Sequence, residues 1–272
     1  MRFASVRSDR QAKAPEASSL ARATQSGHNA GPHHGYQRPR VPDIRLITLD
    51  LDDTLWPCMP VIQAAEEALY AWLQDRAPRL AEAEDVDSMR QHRKGIMERR
   101  PEIAHDLGMV RRLSLVELLD RHRHDTSIVD EALALFLEHR CRVEPYPDVL
   151  PALQSLSQRF SLVSVTNGNS NVEVTPLKGL FHHSISAAEA GAAKPHPAMF
   201  EHALTLAGCR PDQCLHLGDD PWLDVEAARQ AGLRAAWINR LGKPWPDALA
   251  EPEVAIETLS ELLTWLEEAD GL

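Results

Sequence analysis

Two aspartates, Asp50 and Asp52, directly follow the short apolar run 44–49. That run is aliphatic and partly β-branched, which indicates a buried parallel strand. Carboxylates are costly to bury unless a cation or hydrogen bonds compensate them, so acids at the tip of such a strand indicate a functional site. A carboxylate can attack phosphorus and form an aspartyl phosphate, and Asp50 is placed for that role. Asp52 falls on the same side of an extended segment and can act as general acid and then as general base.

Residues that could bind the phosphoryl oxygens follow other apolar runs. Thr166 and Asn167 come directly after the run 162–165. The Thr166 hydroxyl and the backbone amides after it, beginning with Asn167, can donate hydrogen bonds to phosphate. Lys194 offers a compact positive charge to the same oxygens. Thr166, Asn167 and Lys194 are therefore the predicted phosphate-binding residues.

The predicted chemistry also requires a metal ion, because two carboxylates facing a phosphate dianion would repel it. Mg²⁺ prefers oxygen ligands and keeps several waters. Asp50, the backbone carbonyl of Asp52 and Asp219 could supply part of its shell. Asp224 could orient the lysine or a water on the metal, and Asp220 is a second supporting candidate.

Each of these residues also has a purely structural interpretation. The acids at 52 and 53, and likewise Asp220 or Asp224, could simply cap the start of a helix. A Thr-Asn-Gly sequence forms turns in many proteins. Singly, each functional interpretation is the weaker one. Together, in this order and each at the end of a predicted strand, the residues favour one shared site.

The elements that must position these residues alternate between strand and helix. Residues 60–139 show apolar residues at helical spacing without a strand-like run, and Pro145 and Pro147 end this pattern. Further strands are predicted at 162–165, 184–187, 214–217 and 235–238. Helices are predicted at 197–207, 223–231 and 259–269.

This order predicts an α/β fold with a doubly wound, Rossmann-like parallel sheet and an inserted helical cap. Ligands of such sheets bind beyond the carboxyl ends of the strands, where the candidate residues lie. The predicted core domain comprises 43–59 and 140–272, and the predicted cap domain comprises 60–139. Residues 1–42 are rich in Arg, Ser, Gly, Pro and His and are predicted to be a disordered extension.

The composition excludes several classes of protein. The 272 residues are 43% hydrophobic and 25% charged, as in a soluble globular protein, and the formal net charge is -11. This acidic balance argues against a nucleic-acid partner, and no apolar run is long enough to span a membrane. The acidity also means that an anionic substrate needs local positive charge. The four cysteines lack metal-ligand spacing, which predicts reduced thiols in a cytoplasmic protein.

Four segments of the chain resemble the motifs of the haloacid dehalogenase superfamily. The matching segments are 50–54, 166–168, 194–195 and 218–224. The resemblance covers the chain from about residue 43 to its end. It implies a Rossmann-like core, a helical cap after the first motif, and Mg²⁺ as cofactor. It further implies Asp50 as nucleophile and Asp52 as acid and base. Thr166 and Lys194 would bind phosphate, and Asp219 would bind the metal.

Within this superfamily the chain is similar to bacterial phosphatases that act on 5-amino-6-(5-phosphoribitylamino)uracil in riboflavin biosynthesis. Those enzymes also accept flavin mononucleotide (FMN) and sugar phosphates. The similarity lies in residues 60–62, 100–106, 166–169 and 215–220. It implies a small phosphorylated metabolite as the substrate.

Three other functions share parts of this pattern. A dehalogenase uses the same nucleophile on carbon, but it needs neither Mg²⁺ nor an acid at position 52. A phosphosugar mutase shares all four motifs and differs mainly in its cap. A non-catalytic phosphate-binding module would be a decayed enzyme, whereas every motif residue is present here. In the cap, four arginines are candidates for substrate contact, although most such residues occupy solvated helix faces: Arg99, Arg100, Arg111 and Arg112.

Overall fold

The computed structural model describes residues 43–270, so the predicted extension 1–42 lies outside the described residues. Six strands form one sheet, and every neighbouring pair is parallel. The sheet order is β3-β2-β1-β4-β5-β6. The strands are β1 Leu46–Leu49, β2 Ser161–Thr166, β3 His183–Ser186, β4 Cys214–Gly218, β5 Arg234–Ile238 and β6 Val254–Ile256. The predicted doubly wound parallel sheet is confirmed.

Ten α-helices accompany the strands in the described part of the chain. Between β1 and β2 lie α1 Cys58–Arg76, α2 Pro78–Ala83, α3 Val86–Arg99, α4 Leu107–Arg121, α5 Val129–Arg140 and α6 Val149–Leu156. After β3 follow α7 Ala187–Ala190, α8 Ala198–Ala207, α9 Ala227–Gln230 and α10 Leu259–Asp270. Helices α1 to α5 fill the segment in which the cap is predicted; the division of the chain into domains stays a prediction.

The sheet separates two apolar layers because alternate residues of each strand point to opposite faces. Ile47 and Leu49 of β1 belong to a cluster that includes residues of α6 and α10. Leu46 of β1 belongs to a second cluster with Phe200 of α8 and Ala228 of α9. A third cluster, formed by α1 to α5, includes Leu69, Leu118 and Phe136. Burial on both faces explains why β1 reads as a continuous apolar run rather than an alternating one.

Four elements of the fold differ from the sequence-based expectation. The segment predicted as a helix at 223–231 begins with a π-helical turn, Pro221–Glu226, and only its end is the α-helix α9. The sequence predicts neither helices α6 and α7 nor strand β6, and α7 begins at Ala187, where the predicted strand 184–187 ends. Helix α6 contains Pro151 in its first turn, where a missing N–H leaves no hydrogen bond unmade. Strand β6 has only three residues at the sheet edge.

No helix within residues 43–270 combines the length and apolar character required to cross a lipid bilayer.

Candidate active site

The parallel sheet brings the predicted residues to one edge. Strands β1, β2 and β4 are neighbours in register, with Leu49 of β1 opposite Leu217 of β4. Asp50 follows β1, Thr166 ends β2, and Asp219 follows β4. The three side chains therefore start from the carboxyl ends of adjacent strands, which is where α/β sheets bind ligands.

Lys194 connects the nucleophile candidate to the fourth motif. Its Nζ donates to Oδ1 of Asp50 and to Oδ1 of Asp224, each at 2.6 Å, and to the carbonyl of Val165 at 2.9 Å. The residue is 4% exposed. Burial alone would lower the pKa of Lys194, but Asp224 and Asp50 hold it above its ordinary value, so the side chain is a fixed cation.

The Asp50 carboxyl is in an environment that resists ionisation. Burial raises its pKa well above the ordinary value, Lys194 opposes the rise, and the nearby Asp224 adds to it. Ionised Asp50 therefore depends on positive charge close to its oxygens. Lys194 supplies one such charge, and a metal ion would supply another.

Asp224 holds Lys194 in position. Its Oδ1 lies 3.2 Å from Nε2 of His216 and its Oδ2 accepts from the backbone N–H of Asp220 at 2.9 Å. Burial alone would raise the pKa of Asp224, but Lys194 and His216 bring it below the ordinary range. A Cβ atom at Gly218 would lie 2.2 Å from Cγ of Asp224, so the buried carboxylate requires glycine there. Asp224 therefore contacts Lys194 directly, and its role in orienting the lysine for the reaction stays a prediction.

The second motif contacts the lysine through its backbone. Asn167 accepts from the Lys194 N–H at 2.7 Å and donates to the Lys194 carbonyl at 3.0 Å. The Asn167 side chain is therefore occupied in positioning Lys194, and only its backbone amide remains for phosphate. The Thr166 hydroxyl accepts from the N–H of Gly168 at 2.9 Å.

Two hydrogen-bond donors, Trp56 and Arg140, orient Asp52. Its Oδ1 accepts from Nε1 of Trp56 at 2.9 Å, and its Oδ2 accepts from Nη2 of Arg140. A Cβ atom at Gly168 would lie 2.8 Å from Oδ2 of Asp52, so the second motif passes directly against this carboxylate. Arg140 ends α5, and its side chain is 3% exposed. Sequence reasoning missed Arg140 because no local motif connects residue 140 to residue 52.

Among Asp50, Asp219 and Asp224, the carboxylate of Asp219 has the weakest contact with a positive charge. Its charged neighbour Lys243 is 3.6 Å away and half exposed, while Trp237 Nε1 donates to its backbone carbonyl at 2.9 Å. Burial, followed by the charge of Asp224, raises the pKa of Asp219 to about 7.

The acidic cluster fits a hard divalent cation. Asp50, Asp219 and Asp224 each place an oxygen within 4.8 Å of the others. An all-oxygen donor set with two of its carboxyl pKa values raised by burial fits Mg²⁺, which takes oxygen ligands and favours the ionised carboxylates. Because Asp224 already contacts Lys194, His216 and a backbone amide, Asp50 and Asp219 are the better candidates for direct ligands.

Asp220 caps the π-helical turn. Its Oδ1 accepts from the N–H groups of Trp222 and Leu223 at 2.8 and 2.9 Å. These contacts agree with the structural interpretation of Asp220 as a helix cap, and a supporting role of Asp220 in the site stays a prediction.

His216 is a second residue that sequence reasoning did not assign. It is fully buried in β4, with Nδ1 2.9 Å from Oγ1 of Thr48 in β1. Burial lowers its pKa although Asp224 opposes this, so the ring is a neutral partner. Polar residues facing each other inside two otherwise apolar strands were the available signal for this network.

The four cap arginines differ in exposure. Arg99, Arg100 and Arg112 are exposed, and each pairs with a carboxylate. The side chain of Arg111 is 11% exposed, and it faces the interior of the segment formed by α1 to α5.

Comparisons with known proteins agree with this geometry. A sequence model of the haloacid dehalogenase-like hydrolases matches residues 44–232. The chain is 30% identical to the 5-amino-6-(5-phospho-D-ribitylamino)uracil phosphatase YigB of Escherichia coli, over 80% of this chain and 94% of that protein. It is 29% identical to a phosphoserine phosphatase of Thermus thermophilus, over 80% of this chain and 98% of that protein.

A solved structure gives the corresponding likeness in three dimensions. The 2-haloacid dehalogenase of Pseudomonas syringae pv. tomato superposes with a TM-score of 0.78 at 37% identity, covering 83% of this chain and 99% of that one. Sequence motifs, sheet order and the acidic cluster with its buried lysine all lead to the same assignment. This chain belongs to the haloacid dehalogenase-like hydrolase family, as the resemblance of its four motifs predicted.

Proposed function

We propose that the protein is a Mg²⁺-dependent phosphomonoester hydrolase that works through an aspartyl phosphate. The observation that carries this proposal is the meeting of Asp50, Asp219 and Asp224 within 4.8 Å, with the Lys194 ammonium bound to two of them. This arrangement places a carboxylate nucleophile, the positive charge of Lys194 and carboxylate oxygens that could bind a metal ion next to one another. Phosphoryl transfer needs these three elements.

Asp50, Asp219 and the backbone carbonyl of Asp52 would hold the metal, which would neutralise charge on the phosphoryl oxygens. Lys194 and the backbone amide of Asn167 would bind the remaining oxygens. The phosphate dianion is then surrounded by positive charge, although the chain carries a net charge of -11.

In the first step an Asp50 oxygen attacks phosphorus, the new P–O bond forms, and the ester P–O bond breaks. The proton that the departing alkoxide needs comes from Asp52, which Trp56 and Arg140 orient. In the second step Asp52 removes a proton from water as the water oxygen attacks the aspartyl phosphate. Inorganic phosphate leaves and the Asp50 carboxylate is restored.

Dehalogenation is the second candidate, and the similarity to the Pseudomonas syringae 2-haloacid dehalogenase favours it. In that reaction the carboxylate would displace halide from carbon, and no proton is needed by the leaving group. The oriented Asp52 and the available Asp219 would then have no role, so the contacts support phosphoryl transfer more strongly. A phosphosugar mutase would use the same residues and return the phosphate to the sugar.

The substrate is proposed to be a small phosphorylated metabolite. The likeness to the uracil phosphatase YigB makes 5-amino-6-(5-phosphoribitylamino)uracil the first compound to test, with FMN second.

The four cysteines are free thiols, which supports a cytoplasmic location.

The test compares phosphate release from p-nitrophenyl phosphate with halide release from L-2-chloropropionate, each with Mg²⁺ and with EDTA. We expect Mg²⁺-dependent phosphate release and no chloride release. Asp50→Asn should abolish turnover, whereas Asp212→Asn, an exposed residue paired with Arg210, should not change it. Chloride release, or phosphate release that survives either EDTA or Asp50→Asn, would contradict the proposal. A phosphosugar is offered as a third substrate. A mutase would isomerise it without releasing phosphate.

A further inference from the structure

Arg111 of α4 is a largely buried cation with incomplete hydrogen bonding. Its guanidinium carbon lies 3.4 Å from the centroid of the Phe136 ring, so the group stacks on the ring face. Its Nε and Nη1 atoms are buried and have no hydrogen-bond partner among residues 43–270. Its nearest carboxylate oxygen, on Glu66, is 3.8 Å away. Buried polar groups in folded proteins normally have partners, so these nitrogens require an explanation.

Glu66 does not supply that partner because other arginines occupy its carboxylate. Arg90 donates to Oε2 at 2.6 Å, and Arg93 donates to Oε1. Glu66 is 4% exposed, and the Arg93 side chain is 13% exposed. The Glu66 carboxylate is therefore already hydrogen-bonded by Arg90 and Arg93. Arg111 is a further, mostly buried guanidinium group near the same carboxylate. The interior of this segment has an excess of positive charge around Arg111.

Arg111 lines a cavity of about 310 Å³ between α4 and α5. Its walls include the apolar side chains of Met109, Leu133 and Phe136 and the charged residues Asp106 and Arg112, and it extends to Asn169. Asn169 follows Gly168, which packs directly against the Asp52 carboxylate. The cavity therefore adjoins the edge at which the proposed phosphoryl transfer takes place.

We propose that this cavity binds the non-reacting end of the substrate and that Arg111 recognises an anionic oxygen group there, a carboxylate or a second phosphate. This inference rests on the proposed function and narrows its substrate class. An anion fits better than a neutral carbonyl because Arg90, Arg93 and Arg111 surround one buried acid, Glu66. In the cavity lining itself, Arg111 and Arg112 accompany one acid, Asp106. Burial and the charge of Arg93 lower the pKa of Arg111 to about 9, so the group is still charged at neutral pH. The inference adds phosphorylated acids to the substrate class, to be tested beside the uracil and flavin phosphates named above.

The test measures kcat/KM for ω-phosphooxy alkanoates of two to six carbons against their primary amides, with α,ω-alkanediol bisphosphates as a second arm. Wild-type protein should prefer the carboxylate over the amide at one chain length by at least about tenfold, the loss expected for a charge-assisted hydrogen bond. Arg111→Gln should reduce that ratio to about one. Arg99→Gln removes the same charge from an exposed residue outside the cavity and should keep the ratio. A larger advantage for the bisphosphates would identify the second phosphate as the natural group.

The outcomes separate this inference from the proposed function. Absence of any phosphate release from p-nitrophenyl phosphate would refute the phosphatase itself. Release without a preference for either anionic series, or a preference that persists in Arg111→Gln, would refute the role of Arg111. The preference of the wild-type protein for the carboxylate over the amide is measured without any variant. The inference can therefore be refuted even if Arg111→Gln fails to fold. Arg111→Lys, which keeps the charge but not the guanidinium geometry, should retain part of the preference.

Discussion

Replacing Asp219 by asparagine should stabilise the metal-free protein while it removes metal binding. Burial raises the pKa of Asp219 to about 7 from an ordinary value of 3.8. Above pH 4 the unfolded carboxyl is ionised, whereas the folded one keeps its proton up to about pH 7, so the folded state binds more protons. The contribution of Asp219 to stability therefore falls as the pH rises between these two values and is constant above them.

The size of the effect follows from the same numbers. Each pKa unit corresponds to about 1.4 kcal/mol, so a rise from 3.8 to about 7 costs the folded state up to about 4 kcal/mol at pH 8 and about 2 kcal/mol at pH 5. The Asp219 side chain is 17% exposed, so screening by solvent removes only part of this energy. Losing the contact to the exposed Lys243 offsets little of the gain.

Urea unfolding in EDTA at pH 5 and pH 8 measures the effect. Asp219→Asn should be more stable than wild type, with a larger advantage at pH 8. Added Mg²⁺ should stabilise wild type and hardly affect the variant, because a ligand stabilises only the state that binds it. Asp220→Asn, which keeps its capping oxygen, should behave like wild type at both pH values. An Asp219→Asn variant no more stable than wild type at pH 8, or an advantage independent of pH, would refute this account.

Gly218→Ala should destabilise the protein by about 1–3 kcal/mol in urea and abolish phosphatase activity, because its Cβ would lie 2.2 Å from Cγ of Asp224. Gly95→Ala, inside α3 and near only the flexible end of a side chain, should be neutral or slightly stabilising, and equal losses in both variants would argue against a special role for Gly218. Arg140→Leu should lower kcat for an alkyl phosphate more than for p-nitrophenyl phosphate, because Arg140 orients the proposed acid Asp52 and a good leaving group needs little protonation. Equal losses on both substrates would show that Arg140 acts on another step.

The sheet was predictable from the sequence because its central strands are buried on both faces. Each such strand is a short apolar run, and the polar residues that interrupt the pattern mark the strand ends. The elements that were missed lack this signal: β6 is three residues long, α7 is four residues long, and α6 includes a proline in its first turn. The π-helical turn at Pro221–Glu226 was predicted as an ordinary helix, since apolar spacing over six residues cannot separate the two geometries.

The site was predictable to the extent that its residues follow strands. Asp50, Thr166 and Asp219 start from adjacent strand ends, so the topology alone brings them together. Arg140 was not predictable, because its contact with Asp52 joins residues 88 positions apart through the packing of α5. Nor does the sequence show that the Asn167 side chain holds the Lys194 backbone, since that requires the relative position of two loops.

The charge distribution explains how an acidic protein could bind an anionic substrate. Three carboxylates, Asp50, Asp219 and Asp224, converge at one edge of the sheet, and Lys194 compensates only two of them. Burial, together with the charge of Asp224, raises the pKa of Asp219, and a divalent cation would favour its ionised form. The positive charge that binds the substrate would then come from the buried Lys194 and the proposed metal ion, not from the protein surface. A substrate that lacks the phosphoryl group would leave those cations unmatched, so we expect the proposed enzyme to prefer phosphate esters because of that cost.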